Sequence, residues 1–560
     1  MKPVFLILVF AAAMTASTHA QVTVYVDQSA TGNADGTTWA SAFTHLQDAL
    51  SVVAPEQDIL VAAGTYHPDE GTGQTAGSRA STFSLVSEVG IFGGFPSGGG
   101  AFSQRDPETH PTILSGDLAR DDGPAFNNRS DNALHVVTAI GVDSNASLDG
   151  FIISGGNADG TTTEGRGGGL RCERGSPSFA HCLFSDNQAV SGGGVSTTLS
   201  SSNFLHCGFS GNTDSSSGGA VWNSDSSPII TNCRFSANEA ADGGSISNIF
   251  ASPIIINCAF IGNAASGEGG AVRNISASPE FINCTFQGNH ADTSGGAMAS
   301  ANSSPVFRNS ILWNNAEAGI TTTKGASLVS TAGTSQFFAS SLVHNWAHTA
   351  LNDGNFINGN LDGIDPGNDP LFIAEADPLA APSAGGNLRL RFNSPVIDVG
   401  NNAANSEPTD LDGKPRIRNN VIDLGAFEAL TDFASLWLTD LDHDGSPFGT
   451  EIALGTNPDA TDRNDPRNPS CPVINSNGDA IITFGRGQDA PVGTNWILSR
   501  STTLKPGSFE EIYRFDGATG TPGQDIQAVV DANSFQIEDQ NPPAPRAYYR
   551  FEAVYAPTAF

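Results

Sequence analysis

Positive charge is scarce in this chain. Its 560 residues carry 25 Lys and Arg against 58 Asp and Glu, a formal net charge of −33, which repels phosphate backbones at long range and argues against a nucleic-acid partner. Charged residues of both signs reach only 15%, while apolar residues make up 38%, so the chain is no charge-rich disordered polymer. No interior apolar run reaches about 18 residues, which excludes a polytopic membrane protein. The cysteines lack the CxxC spacing of zinc sites, and no serine sits in the Gly-x-Ser-x-Gly context of a nucleophile elbow. Glycine, by contrast, is abundant at 63 residues, well above its usual share of roughly 7%, so frequent backbone bends are expected.

Residues 1–20 read as an export signal. Lys2 precedes an apolar stretch from Val4 to Ala13, and Ser17, Thr18, His19 and Ala20 supply small residues before Gln21. Such a stretch is too short to span a bilayer and suits cleavage after Ala20. The mature chain is therefore expected to be exported, extracellular or at the cell surface, with no transmembrane span.

A repeat organises the middle of the chain. From Gly167 to Asn315 one phrase recurs: Gly-Gly-small-apolar, a polar stretch, then Cys-x-Phe with Asn three residues after the Phe. The pairs are Phe184/Asn187, Phe209/Asn212, Phe235/Asn238, Phe260/Asn263 and Phe286/Asn289, with a degenerate Leu312/Asn315. The step is 25 or 26 residues throughout, and the Gly-Gly starts keep it too, which is the signature of a solenoid. The units are rich in Gly, Ser, Asn, Thr and β-branched residues rather than helix formers, so strands and bends fit better than helices. Each unit has room for three short strands and three bends, every strand pairing with its counterpart one coil away at about 4.8 Å. The expected fold is all-β, a parallel β-helix.

Columns through the repeat refine this expectation. Five residues before each Phe position stand Phe179, Phe204, Ile230, Ile255, Phe281 and Phe307, which must face inward like the Phe column itself. An odd separation is incompatible with an unbroken strand of period two, so a bend lies between the columns. The bend is placed at His181, His206, Asn232, Asn257, Asn283 and Asn309, because Asn and His tolerate the left-handed conformation, and a side-chain ladder is expected to run along this corner. The His pair also admits a metal or catalytic reading, against which the same column continues as Asn. Cys182, Cys207, Cys233, Cys258 and Cys284 sit two residues before the Phe position, hence on its inward face. In-register Cβ atoms about 4.8 Å apart exceed the roughly 3.8 Å a disulfide prefers, so a buried thiol ladder is expected, with oxidation of some members as the alternative that an export context leaves open.

Several phrases are also similar to a known group of proteins. The Gly-Gly-Ala-apolar and Phe-x-x-Asn units resemble the repeats of polymorphic outer-membrane proteins. Tyr25-Val26-Asp27, Val61 to Tyr66, Gly93-Gly94-Phe95, Arg105-Asp106, Pro111 to Asp117 and Leu148 to Phe151 resemble the N-terminal half of "choice-of-anchor Q" bacterial surface proteins. Asp410 to Arg416 followed by Asp423 to Glu428 resembles that family's closing segment. The resemblance implies a right-handed, pectin-lyase-like β-helix on an exported protein, spanning residues 21–430, and no settled enzymatic activity.

Flanking modules complete the organisation. Phe43, Leu46, Ala49, Leu50 and Val53 share one helical face, so an amphipathic helix is expected to cap the first coil. Between about 320 and 430 the period fades into irregular coils with long loops. Asp440, Asp442, Asp444, Gly445 and Glu451 satisfy D-x-D-x-D-G-x5-E, with the Ser446 carbonyl at position 7. Such a loop supplies hard oxygen ligands for calcium, and this one looks like thrombospondin type 3 or dockerin loops, although Pro447 departs from the EF-hand pattern. This acidic linker, 431–470, leads to alternating segments over 471–560 that suit a small β-sandwich.

The choice between enzyme and scaffold rests on chemistry. A hydrolase needs grouped carboxylates; Asn212-Thr213-Asp214 and Asp121-Asp122 mimic polygalacturonase motifs, but in reversed order and with no Gly-His-Gly. A lyase needs calcium-binding carboxylates beside a base, for which Arg105, Asp106, Asp117, Asp121 and Asp122 are candidates by clustering alone. The favoured expectation is a noncatalytic exported β-helix for adhesion, glycan binding or cell-envelope structure, with outward rows of Thr, Ser and Asn. The alternative is a polysaccharide lyase or glycoside hydrolase.

Overall fold

In the computed structural model the described residues are 23–429, except 331–332, 348–358, 392–393 and 419, together with the backbone of eight strands between Val473 and Tyr555. The chain divides into two compact units at Ala429/Leu430.

The first unit is a parallel β-helix. Its strands stack into sheets of 11, 10, 9 and 7 strands in which successive neighbours belong to successive coils. One coil runs through Val195–Thr198, Asn203–Leu205, Gly208–Ser210 and Thr213–Ser217. Seven successive coils, whose fourth strands run from Asn157 to Glu317, therefore have four faces, where three were expected. The reason is a fourth bend just after the Phe strand: Asp186, Ala237 and Asn314 hold positive φ there, as do Gly211, Gly262 and Gly288. The strand beyond it shrinks to two residues in several coils, too short for any alternation to be read from sequence.

Every corner is turned by one left-handed residue. Between the two Phe-bearing faces these are His181, His206, Asn232, Asn257, Asn283 and Asn309, with φ between 47° and 53°. The first glycine of each Gly-Gly pair is likewise left-handed, for example Gly218 at 80°. The second glycine is set by crowding, since a Cβ on Gly270 would lie 2.2 Å from the carbonyl of Gly296 one coil away.

Inside the coil, register pairs Phe184 with Phe209, Phe235, Phe260 and Phe286 in turn. Their rings stack at 5.2, 4.6, 4.8 and 4.4 Å, all within 7° of parallel. The second apolar column, Phe179 to Phe307, packs edge-on against it and is equally buried. Stacked burial of this kind is worth about 1.5–3 kcal/mol per side chain. At the start of the solenoid, helix α1 (Leu46–Val52) buries Leu46 and Ala49, while Phe43, Leu50 and Val53 pack on the core margin. The edge strand Thr23–Val26 is bridged by Phe43, which covers the first coil as expected.

The last full coil ends at Leu342–Val343. Beyond it an irregular turn still adds Asn360 and Leu361 to the stack, Leu361 bridging Leu342 in parallel, and the described residues from 362 to 429 then form a strap along the outside of the helix. The strap builds a second core in which Phe372, Leu388, Val396 and Leu424 meet Ile261 and Trp313 on the outer face.

The second unit contains two four-stranded antiparallel sheets, the strand content of a small sandwich. One includes Ala480–Gly485 and Ser534–Asp539, the other Thr494–Ser501 and Tyr548–Tyr555. The export signal 1–20 and the loop Asp440, Asp442, Asp444, Ser446 and Glu451 lie outside the described residues.

Candidate functional site

The Asn that follows each Phe strand builds a continuous interior ladder. The Nδ2 of Asn187, Asn212, Asn238, Asn263 and Asn289 donates to Oδ1 of the next Asn at 2.8–3.1 Å. The same Nδ2 donates to a carbonyl one coil back, as Asn238 does to Phe209 at 2.9 Å, and each Oδ1 also accepts the backbone N–H of the preceding Asn. These amides are fully satisfied and 0% exposed, so Asn212 belongs to the ladder rather than to a catalytic motif. Its mimic partner Asp214 is buried, accepts the amides of Gly192 and Ser216, and is pushed by burial well above the usual carboxylate range.

The cysteines form a parallel row of free, buried thiols. Each sulfur donates toward a carbonyl, and Cys233 and Cys258 also accept the amide of the previous cysteine at 3.3 and 3.4 Å. Burial pushes the thiols of Cys182, Cys207, Cys233 and Cys258 well above their ordinary pKa. Ser310 and Ser341 continue the row with the same bonds.

A third ladder is absent from the sequence reading. Thr197, Asn223, Asn248, Asn274 and Ser300 bond in series at 2.6, 2.9, 2.9 and 3.1 Å, all inside the coil. The expectation of outward polar rows fails for this one. Each member lies two residues after an inward Val, Ile or Met, and that spacing was the available signal.

The corner column divides into two environments. Asn257, Asn283 and Asn309 do not form the expected ladder among themselves. They lie under the strap, donating to Thr409 O, Asn405 Oδ1 and Asn401 O at 2.8–3.0 Å. The next corner carries Gly262 and Gly288 where the strap crosses, and added Cβ atoms there would meet Ser383 O at 2.3 Å and Ala376 Cβ at 2.7 Å. The strap is closed by its own buried charges. Arg416, 0% exposed, donates to Asp423 O and Gly425 O and faces Glu428, while Asp410 accepts the amides of Lys414 and Glu428. Burial pushes Asp423 up to about 6, and burial together with Asp423 pushes Glu428 up to about 8. The closing-segment motif thus latches the strap.

His181 and His206 lie beyond the strap's edge. Their rings stack at 5.3 Å and 8°, and both are exposed. They border a groove of about 760 Å³ lined also by Asp106, Glu108, Leu183 and the strap turn Leu411–Gly413. The Nδ1 of His181 lies 3.0 Å from Asp149 Oδ1, which also receives Arg105 Nη2 at 2.6 Å. Burial opposes ionisation of Asp149, but the bond to His181 and the charge of Arg105 outweigh it and hold the carboxyl below its ordinary pKa. Donation of Nδ1–H to this carboxylate leaves Nε2 as the free imidazole nitrogen. Burial, then the neighbouring His181, lowers the pKa of His206.

The suggested lyase cluster does not assemble as one site. Arg105 is tied to Asp149, and Asp106 lines the groove. Asp117, Asp121 and Asp131 instead bring carboxylate oxygens within 4.8 Å of one another beside a separate cavity of about 420 Å³, where Asp122 pairs with Arg129 at 3.2 Å. Local turns account for these acids: Asp117 accepts the amides of Asp121 and Asp122, and Asp131 that of Ala119.

Comparison with known proteins gives the same architecture. Residues 194–360 match the family model described as a right handed beta helix region. Among solved structures the chain is similar to pectate lyase Pel9A, at 14% identity over 73% of this chain and 96% of that one, with a TM-score of 0.38. It is also similar to a rhamnogalacturonan lyase, at 15% identity over 63% and 90%, with a TM-score of 0.31. No curated protein matches the sequence. The first unit is a right-handed parallel β-helix, as the matched family model describes for residues 194–360.

Proposed function

We propose that the chain is an exported, noncatalytic β-helical surface protein that holds an extracellular or cell-envelope glycan in the groove at the strap's edge, in adhesion or envelope structure. The groove carries this reading. It pairs apolar walls from Pro107, Ile152, Leu183 and Leu411 with polar rims from Asp106, Glu108, His181 and Asp412, a mix that suits the faces and hydroxyls of a sugar ring. Export rests on the N-terminal signal, and a structural calcium ion in the Asp440–Glu451 loop belongs to the same proposal. The experiment is a screen of the purified chain against neutral and acidic glycans, scoring binding and product release together. Binding without turnover, weakened by His181→Asn/His206→Asn, is the expected result. The column itself carries Asn at the next corner, so that double substitution keeps the left-handed bend.

One observation favours a second reading, a polysaccharide-active enzyme. The Asp149–His181 pair, with a free Nε2 on an open groove, has the arrangement of an oriented general base. Product release abolished by His181→Asn would replace the first reading with this one.

A further inference from the structure

The charges around the groove also bear on the class of glycan it takes, a step that rests on reading the groove as a glycan site. Its lining holds three carboxylates, Asp106, Glu108 and Asp412, and among the described residues no Lys or Arg. The neighbouring cations are already engaged. Arg105 is bound to Asp149 at 2.6 Å. Arg389 grips Asp412 through two bonds, at 2.6 and 2.7 Å, and Lys414 approaches the same carboxylate at 3.3 Å. Arg234 is turned to the strap carbonyls of Ala384 and Gly386, at 3.4 and 3.5 Å. A uronate entering the groove would have to displace Asp412 from its two cations or stand beside the carboxylates without a partner. A neutral sugar hydroxyl, in contrast, donates directly to Asp106 or Glu108. The chain's net charge of −33 acts in the same direction at longer range.

We infer that the groove selects a neutral oligosaccharide and rejects uronic-acid chains, and that the lining carboxylates Asp106, Glu108 and Asp412 make the choice while Arg389 and Lys414 are held on Asp412. Asp412 lies at the strap tip, so the strap both ends the groove and sets its charge selectivity. At about 8 Å in water each like-charge contact lowers affinity about twofold. Asp412→Asn removes one such repulsion, which predicts a rise of about twofold in uronate affinity at low salt.

The test is calorimetric titration of the full chain at neutral pH with xylohexaose, cellohexaose, mannohexaose and chitohexaose, and with hexagalacturonate and hexamannuronate. The expected result is that at least one neutral chain binds at least about tenfold tighter than either uronate. That binding should be insensitive to salt and be lost in His181→Asn/His206→Asn. Asp412→Asn should gain uronate affinity, and Lys414→Ala should not. Uronate binding equal to or tighter than neutral binding in the unmodified chain, still lost in the double His variant, overturns the charge inference and leaves the groove as a glycan site. Binding of no member, or binding indifferent to the double His variant, overturns the groove reading and the inference together.

Discussion

Removing one rung of the interior ladder tests whether polar stacking, and not only the Phe column, holds the coils together. In Asn238→Ala, the amide of Asn212 loses its acceptor at 3.1 Å, and the Phe209 carbonyl loses a donor at 2.9 Å. Two neighbours keep a bond each: Asn212 Nδ2 still reaches Phe184 O at 2.8 Å, and Asn263 Oδ1 still accepts the residue 238 amide at 3.1 Å. Two buried groups stripped at about 1–3 kcal/mol each, plus the cavity of a fully buried side chain, give a cost of about 4 kcal/mol. Because a solenoid is stabilised coil by coil and the chain has two units, one global unfolding energy is a poor readout. Hydrogen exchange of the strands Phe209, Phe235 and Phe260 belong to reports the local opening energy instead. Asn203→Ala, the same change on an exposed strand position, is the reference and should cost no more than about 0.5 kcal/mol. A loss for Asn238→Ala within about 1 kcal/mol of that reference would refute the reasoning, since it would mean the ladder contributes no more than a solvated amide.

Other consequences can be measured in parallel. Cys258→Ser should cost less than about 1.5 kcal/mol in the local opening energy read by hydrogen exchange, because Ser310 already makes the same bonds in the same row, whereas Cys258→Leu should overpack the stacked column and cost more. Glu428, with an ordinary pKa of 4.5 and a folded value of about 8, holds a proton in the folded state that the unfolded chain releases between those values. Folding stability contributed by this group is complete below about pH 4.5 and declines, at up to about 1.4 kcal/mol per pH unit, as pH rises through about 8. Asp423 adds the same sign up to about 6. Glu428→Gln should flatten that slope in thermal melts from about pH 5 to 8.5, and an unchanged slope would exclude Glu428 as its source. Calorimetry with calcium should show binding that disappears in Asp440→Ala/Asp444→Ala; equal binding by the variant removes that loop as the site.

The solenoid was legible because its determinants recur at the coil spacing. The Phe and Cys columns could be assigned to the inside, and the odd offset between two apolar columns forced a bend whose left-handed residues the structure shows from His181 to Asn309. Three features were not legible, for distinct reasons. The fourth face has strands of only two residues in most coils, and these carry no alternation. The Thr197–Ser300 ladder hid among polar residues that composition assigns to the surface, although its spacing from Val195, Val221 and Ile246 gives it away. The corner Asn residues bond to strap residues 92 to 152 positions away, so no local pattern encodes the strap. The groove escaped for the same reason, since one wall is strap and Asp149 reaches His181 across 32 residues.

The strap also changes what the corner column means. From sequence, the continuation of His181 and His206 as Asn argued that all six residues do one structural job. The backbone agrees, because all six turn the same corner in the same conformation. The side chains do not: under the strap a corner residue must donate to a backbone or amide acceptor that arrives from outside, and Asn supplies a short amide for it. Beyond the strap's edge the corner bond of His181 is made within the helix instead, to Asp149 Oδ1 at 3.0 Å, and the larger ring is exposed. An unbroken solenoid offers a ligand the same surface at every coil. A strap that covers some rungs and stops makes one place different from the rest: Asn257, Asn283 and Asn309 bond to the strap, and His181 and His206 stack in the open. Binding specificity in this molecule is therefore best sought at coils 181 and 206, where the repeat is left uncovered, rather than along its regular faces.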